Sequence, residues 1–150
     1  MLTLSVRQPW AWMIIHGGKN IENRTWSTKV RGPVLIHASG SCKRYEYEDA
    51  VFFARCARMG EEEPLWGNFP GFKDLQLGGI VGQVDLIDCT QKSLSPWFTG
   101  PYGFVLANPK PLPWRPLRGS LGFFEEPDSS AMSASALQPG LFQEVTRDAK

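Results

Sequence analysis

The first 26 residues constrain the fold more than any other part of the sequence. Residues 2–6 alternate apolar and polar side chains, which is the pattern of a half-buried β-strand. Residues 10–15 are apolar on every side and predict a short buried helix that starts after Pro9. The glycines at 17–18 end this helix, and a second strand is predicted over residues 19–26. The chain therefore opens with a strand, a buried helix and a strand.

In the rest of the chain, predicted strands outnumber predicted helices. Strands are predicted over residues 32–39, 79–89 and 102–107, an extended segment over 109–116, and a last ordered segment over 119–124. One helix is predicted over residues 43–59, with Ser41 as its N-cap and Gly60 at its end, and a long loop follows over 61–74. Strands and helices do not alternate regularly. This order favours an α+β fold, a small mixed β-barrel with flanking helices, over a doubly wound α/β sheet.

Composition excludes several classes of protein. A chain of 150 residues with 42% hydrophobic side chains suits one domain with a substantial core. The net charge of +1 means that nucleic-acid binding requires a local basic patch. No apolar stretch approaches a membrane span and no secretory signal is evident, so no membrane partner is expected. The three cysteines (Cys42, Cys56 and Cys89) form no close pair, which predicts reduced thiols in a cytoplasmic protein. The two histidines, His16 and His37, lack ligand-like spacing, so no metal or other cofactor is predicted.

Lys19, Glu22 and Arg24 are the strongest candidates for chemistry. Alternation along an extended strand places Glu22, Arg24 and Trp26 on one face, and the long stem of Lys19 reaches the same place. A carboxylate can accept from an exocyclic amine, a cation can hold phosphate, and Trp10 or Trp26 can stack on a base. If the protein is a hydrolase, Glu22 is the expected general base, Lys19 an electrostatic clamp and Arg24 an oxyanion donor. The structural alternative is a Glu22–Arg24 ion pair that closes a barrel end.

Further ligand contacts are predicted at the first strand-to-helix turn, on the strand near residue 37 and around a Gly-Pro turn. These are Arg7, Gln8, His37, Ser39, Trp97 and Tyr102. Each group has a structural alternative. Gln8 can cap the helix, His37 can be a hydrogen-bonded core group, and Trp97 can pack in the core or at its rim.

Several segments resemble, in order and spacing, the ASCH domain, a branch of the PUA-like superfamily. They are S-x-R-Q-P-W at 5–10, G-K-x-x-E-x-R at 18–24, GPVLIHAS at 32–39, GIVG at 79–82, YGF at 102–104 and LGF at 121–123. The similarity extends over residues 1–125, which are predicted to form the domain, and residues 126–150 are predicted to be a flexible tail. The resemblance implies a small PUA-like β-barrel with a cleft beside the first helix.

The resemblance also implies a range of functions. Family members are proposed to bind RNA or nucleotides, one bacterial branch removes the acyl group from acetylated cytidine, and another member is a ribonuclease. In the amidohydrolases a Lys, a Thr three residues later and a distant Glu carry the reaction, whereas here Glu22 stands three residues after Lys19. We therefore expect a protein that recognises RNA or a modified nucleotide. The alternatives are a hydrolase, either an amidohydrolase of N4-acylated cytidine or a ribonuclease, and a protein–protein adaptor.

Overall fold

The structure is a computed structural model that describes residues 1–58 and 68–127. Its elements follow in the order β1 (Leu2–Val6), α1 (Trp10–His16), β2 (Ile21–Arg24), β3 (Gly32–Ala38), α2 (Arg44–Ala57), a short 3-10 helix (Phe72–Asp74), β4 (Gly79–Thr90), β5 (Tyr102–Pro116) and β6 (Phe123–Glu125). The predicted strands and both predicted helices are present. Within these two segments, no helix is long and apolar enough to cross a membrane.

Six strands of the described residues form one curved, mixed sheet in the order β2-β5-β4-β3-β1-β6. β1 and β3 run parallel, with Ser5 opposite His37, whereas β1–β6, β2–β5, β3–β4 and β4–β5 are antiparallel. Register shifts interrupt the β4–β5 pair, and such irregularities bend and twist strands. This half-barrel with its two helices confirms the predicted α+β, PUA-like fold.

Helix α1 is buried, as its apolar surface predicts. Ala11, Met13 and Ile14 are at most 1% exposed. Ile14 belongs to the core cluster of the sheet, while Met13 packs in a second cluster with Ala54 of α2. Burying the side chain of Met13 or of Ile14 contributes about 1.5–3 kcal/mol. Because α1 is held between the sheet and α2, the segment that leaves its C-terminal end starts from a well-defined position.

Two strands differ in length from their predictions. β2 begins at Ile21, not at Lys19, because the backbone N–H of Lys19 donates to the carbonyl oxygen of Met13 at 3.1 Å and so completes the helix end. β5 continues through the proline-rich residues 109–116, which the sequence predicts only as extended. Irregular pairing with β4 accompanies that segment, and such pairing tolerates residues that lack an N–H.

Helix α2 begins differently from its prediction. The predicted N-cap at Ser41 is wrong, since Lys43 occupies the cap position before Arg44. The carboxylate of Glu46 folds back and accepts the backbone N–H of Lys43 at 2.8 Å, which satisfies a donor of the first turn. The predicted end of this helix at 59–60, half of the following loop and nearly all of the predicted tail lie outside the described residues.

Candidate functional site

Lys19, Glu22 and Arg24 meet in a continuous chain of charged hydrogen bonds. Lys19 Nζ donates to the carbonyl oxygen of Ile21 and to Glu22 Oε1, the latter at 3.0 Å. Arg24 Nε donates to Glu22 Oε2 at 3.0 Å, and Arg24 Nη2 donates to the carbonyl oxygen of Ser5 at 2.8 Å. The side chains of Lys19 and Glu22 are 3% and 11% exposed, so this ion pair is largely removed from water. The structure thus brings the three predicted residues together.

The end of α1 directs Lys19 into this position. Gly18 has φ +78°, a left-handed conformation that favours glycine and reverses the chain after the helix. The reversal returns Lys19 toward the start of α1, where its Nζ lies 5.6 Å from the ring centroid of Trp10. Alternation in β2 then places Glu22 and Arg24 on one face, as predicted.

A first cavity of about 340 Å³ opens beside the ion pair. It is lined by Trp10, Lys19, Glu22, Asn23, Phe53 and Thr99. The side chain of Asn23 fixes one wall, because its Nδ2 donates to Trp97 O at 2.9 Å and its Oδ1 accepts from Thr99 N at 2.8 Å. The rings of Trp10 and Phe53 meet edge to face with centroids 5.6 Å apart. An aromatic wall facing charged groups suits a flat ligand with polar edges.

A second cavity of about 420 Å³ shares Trp10, Glu22 and Asn23 with the first, and we call the two together the cleft. Its lining consists of Ser5, Arg7, Trp10, Glu22, Asn23, Arg24, Ser39, Ser120, Leu121 and Gly122. Arg7 lies at the rim with its side chain 52% exposed, and its Nη2 is 2.8 Å from both carboxylate oxygens of Glu46 on α2. The predicted contact residue Arg7 therefore borders the cleft as one half of an ion pair.

The electrostatics of this rim centre on Glu46. Its pKa is lowered by the hydrogen bond from the Lys43 backbone and by the guanidinium of Arg7. The pKa of the neighbouring Cys42 thiol is raised, mainly by burial and further by Glu46, so this cysteine is not an activated nucleophile. Within residues 1–58 and 68–127, no group of three or more His, Cys, Asp or Glu side chains could hold a metal ion.

Gln8 has the structural role that the sequence left as an alternative. Its side-chain Oε1 accepts the backbone N–H of Trp12 at 3.0 Å, which caps the first turn of α1. Its Nε2 donates to the carbonyl oxygen of Gln76 at 2.9 Å. Both polar ends of this buried side chain are thus bonded within the protein.

The lining of the cleft, within the part of the chain that the structure describes, does not include three of the predicted contact residues, namely Trp26, Trp97 and Tyr102. The Trp26 ring packs edge to face on Phe104 and Phe123, with centroids 5.2 Å and 5.7 Å away. Trp97 is 3% exposed and belongs to the second core cluster, and Tyr102 is half-buried at the start of β5. Trp26 and Trp97 thus have the core packing that was the structural alternative, and their stacking on a ligand stays a prediction.

His37 and Ser39 share a third cavity, of about 380 Å³. Its lining consists of Ser5, His37, Ser39, Gly40, Gly119, Ser120 and Leu121. The His37 ring is 2% exposed, and its two nitrogens lie 2.9 Å from Ser5 Oγ and 2.5 Å from Leu117 O. His37 is therefore a buried, hydrogen-bonded histidine at the edge of a cavity, and Ser39 faces both this cavity and the cleft.

Sequence reasoning missed seven residues that line the cleft, namely Ser5, Asn23, Phe53, Thr99, Ser120, Leu121 and Gly122. The alternation in β1 places Ser5 on the face opposite the buried Leu4, and this local signal could have identified it. Phe53 and Thr99 come from α2 and from the segment before β5. Their approach to the ion pair depends on tertiary packing, for which the sequence carries no local signal.

Comparison with known proteins gives a consistent family assignment. The profile of the ASCH domain matches residues 4–109. Two proteins named Activating signal cointegrator 1, from Homo sapiens and Mus musculus, are similar to this chain, with 32% and 31% identity over 126 residues. The matched region is 78% of this chain but 21% of each relative, so the chain spans about a fifth of the length of the curated relatives it matches.

Proposed function

The chain belongs to the ASCH domain family, which is associated with RNA binding, and on this premise we propose that it recognises a nucleotide, free or within RNA, in the cleft beside Lys19, Glu22 and Arg24. The observation that carries the proposal is the position of Trp10. Its ring lines both cavities of the cleft and lies 5.6 Å from Lys19 Nζ.

The chemistry of the cleft matches the parts of a nucleotide. The Trp10 ring offers a stacking surface for a base. Glu22 offers carboxylate oxygens to an exocyclic amine, and its two cationic neighbours already hold it in one orientation. Arg7 and Arg24 place guanidinium groups at the second cavity, where a phosphate can be held.

The charge balance favours a nucleotide-sized ligand over a long backbone track. Glu22 offsets part of the charge of Lys19 and Arg24, and Glu46 pairs with Arg7. A protein that follows a nucleic-acid backbone needs a run of cations free to replace counterions. Cavities of about 340 and 420 Å³ lie within the range of small-ligand pockets.

Amidohydrolysis through the residues carried over from the resemblance has less support. Glu22 occupies the position of the family's Thr nucleophile. Both carboxylate oxygens of Glu22 accept hydrogen bonds from cations, which suits a clamp better than a general base. Mass spectrometry after incubation with N4-acetylcytidine and with mixed RNA tests for hydrolysis directly. Formation of cytidine or of RNA fragments would show that the protein is a hydrolase.

Binding of a fluorescently labelled single-stranded RNA, followed by anisotropy, tests the proposal. We expect Trp10→Ala to weaken binding about 5- to 150-fold, the equivalent of the roughly 1–3 kcal/mol lost with one stacked base. Trp114→Ala is the matched control, because Trp114 is 42% exposed and lines a separate cavity. Equal affinity of the two variants, with both still folded, would refute the proposed site.

Salt dependence and competition define the ligand. Each phosphate contact should contribute about −0.7 to the slope of log K against log salt for a single strand. Arg7→Ala should reduce that slope, whereas Lys110→Ala, an exposed lysine that lines neither cavity of the cleft, should leave it unchanged. Competition by mononucleotides would show that one nucleotide suffices. Failure of both RNA and mononucleotides to bind would leave the adaptor alternative.

A further inference from the structure

Ser5 and His37 form a hydrogen-bonded pair that the nucleotide proposal does not use. The parallel register of β1 and β3 sets the two residues opposite each other. Ser5 Oγ lies 2.9 Å from His37 Nδ1, and His37 Nε2 lies 2.5 Å from the carbonyl oxygen of Leu117. The imidazole thus bridges a hydroxyl and a backbone carbonyl.

The carbonyl determines which ring nitrogen carries the hydrogen. A carbonyl oxygen only accepts hydrogen bonds, so His37 Nε2 must be the donor to Leu117. In the neutral ring, Nδ1 then has the free lone pair and accepts the hydroxyl hydrogen of Ser5. This polarity is the one by which a serine hydrolase activates its nucleophile, with the two ring nitrogens exchanged and a carbonyl in place of the carboxylate.

The pair faces space that a substrate can enter. Ser5 lines the third cavity, of about 380 Å³, and also the second cavity of the cleft. Its side chain is half-buried, whereas the His37 ring is 2% exposed and shielded from water. Gly119 passes directly over the pair, where an added Cβ would lie 2.5 Å from His37 Cε1 and 2.8 Å from Ser5 Oγ. Only glycine fits at this position, because the backbone of residue 119 packs against the pair, and an acyl group can reach the hydroxyl only from the cavities that Ser5 lines.

We propose that Ser5 and His37 form a catalytic site that hydrolyses small carboxylic esters. Ser5 Oγ attacks the ester carbonyl carbon while His37 Nδ1 takes the hydroxyl proton, and the tetrahedral adduct expels the alcohol, which leaves with that proton. Water then attacks the acyl-serine, gives its proton to His37 Nδ1, and the proton returns to Ser5 Oγ as the carboxylic acid departs. The carbonyl of Leu117 positions the ring. The reaction does not require a nucleotide, although Ser5 also lines the second cavity of the cleft.

A fluorophosphonate probe, which reacts with activated serines, tests the pair in the full chain. Peptide mass spectrometry should find the adduct on Ser5 and lose it in Ser5→Ala. The same preparations should show turnover of p-nitrophenyl acetate that depends on Ser5. Ser41→Ala is the matched control, because Ser41 is exposed and outside the third cavity. Absence of a Ser5 adduct, or an adduct equally on Ser39 or Ser120, would overturn the proposal.

Two further variants separate catalysis from a structural link between strands. Gly119→Ala should abolish labelling of Ser5 in a folded protein, because the added methyl displaces the pair. In Ser5→Cys the new thiol should react with iodoacetamide at least about tenfold faster than exposed Cys56, since a neighbouring histidine activates thiols. If the new thiol reacts with iodoacetamide no faster than Cys56, the hydrogen bond only joins β1 to β3. The same conclusion follows if Ser5→Ala loses stability while wild-type Ser5 is never labelled.

Discussion

Replacing Lys19 with methionine should lower the free energy of unfolding, although the new side chain keeps most of the length of the lysine. Lys19 Nζ lies 3.0 Å from Glu22 Oε1, with the two side chains 3% and 11% exposed. Methionine preserves packing around the stem but leaves the Glu22 carboxylate short of one cationic partner. The variant therefore isolates the charge interaction from the volume of the side chain.

The expected magnitude follows from burial and from the remaining partner of Glu22. Breaking a buried ion pair by removing one member costs about 3–5 kcal/mol. Arg24 Nη2 still lies 2.9 Å from Glu22 Oε2, which places Lys19→Met near the lower value, about 3 kcal/mol. For a chain of this size that loss lowers the melting temperature by about 6–12 °C.

A double-mutant cycle in urea provides the assay. The free energy of unfolding is measured for wild type, Lys19→Met, Glu22→Gln and the double variant. Because the two residues are in contact, the double variant should lose less than the sum of the single losses, with a coupling energy of about 1–3 kcal/mol. Lys29→Met, at an exposed lysine, is the matched control and should stay within about 0.5 kcal/mol of wild type.

A coupling energy near zero would refute the reasoning. So would a Lys19→Met variant as stable as Lys29→Met, because an ion pair shielded from water cannot lose one partner without cost. Either outcome would mean that Lys19 and Glu22 are hydrated separately in solution, so no ion pair between them would line the cleft.

Three other substitutions test separate parts of the structure. The pKa of Glu46 is lowered in the folded state by the backbone hydrogen bond from Lys43 and by Arg7, so these interactions stabilise the fold above the ordinary glutamate pKa and are lost as pH falls through the lowered value. By urea unfolding, Glu46→Gln should therefore be less stable than wild type near neutrality, and the difference should shrink as pH falls below the ordinary glutamate pKa. Gln8→Ala should cost about 1–3 kcal/mol by the same measurement, because it removes the bonds of a buried amide to Trp12 and to the loop before β4. Phe104→Ala should cost about 3–5 kcal/mol, since this ring is 0% exposed, and a loss below about 1 kcal/mol would contradict its place in the core.

The opening of the fold could be predicted from sequence because its determinants are local. Alternation identifies β1, uniform apolarity identifies the buried α1, and Gly18 supplies the conformation that reverses the chain. The meeting of Glu22 and Arg24 is local for the same reason, since residues two apart in a strand share a face. These features need no knowledge of what the rest of the chain does.

Contacts between distant segments could not be read in this way. Trp26 is close in sequence to the charged residues, but its ring turns onto Phe104, which lies on another strand. The pairing of Ser5 with His37 joins residues 32 apart and depends on the parallel register of two strands. Propensity and alternation specify which face a residue occupies, not which strand will lie beside it.

The short outer strands of the sheet bear on how the protein behaves in concentrated solution. β2 and β6 form its two margins and have four and three residues, whereas the long β4 and β5 lie inside it. Open margins are where foreign chains add to a sheet and start fibrous aggregates. These two strands present few free backbone groups to an incoming segment, and where β5 continues past β2 its four prolines at 109, 111, 113 and 116 lack an N–H donor. We therefore expect copies of this domain to resist edge-to-edge stacking despite the β-rich centre.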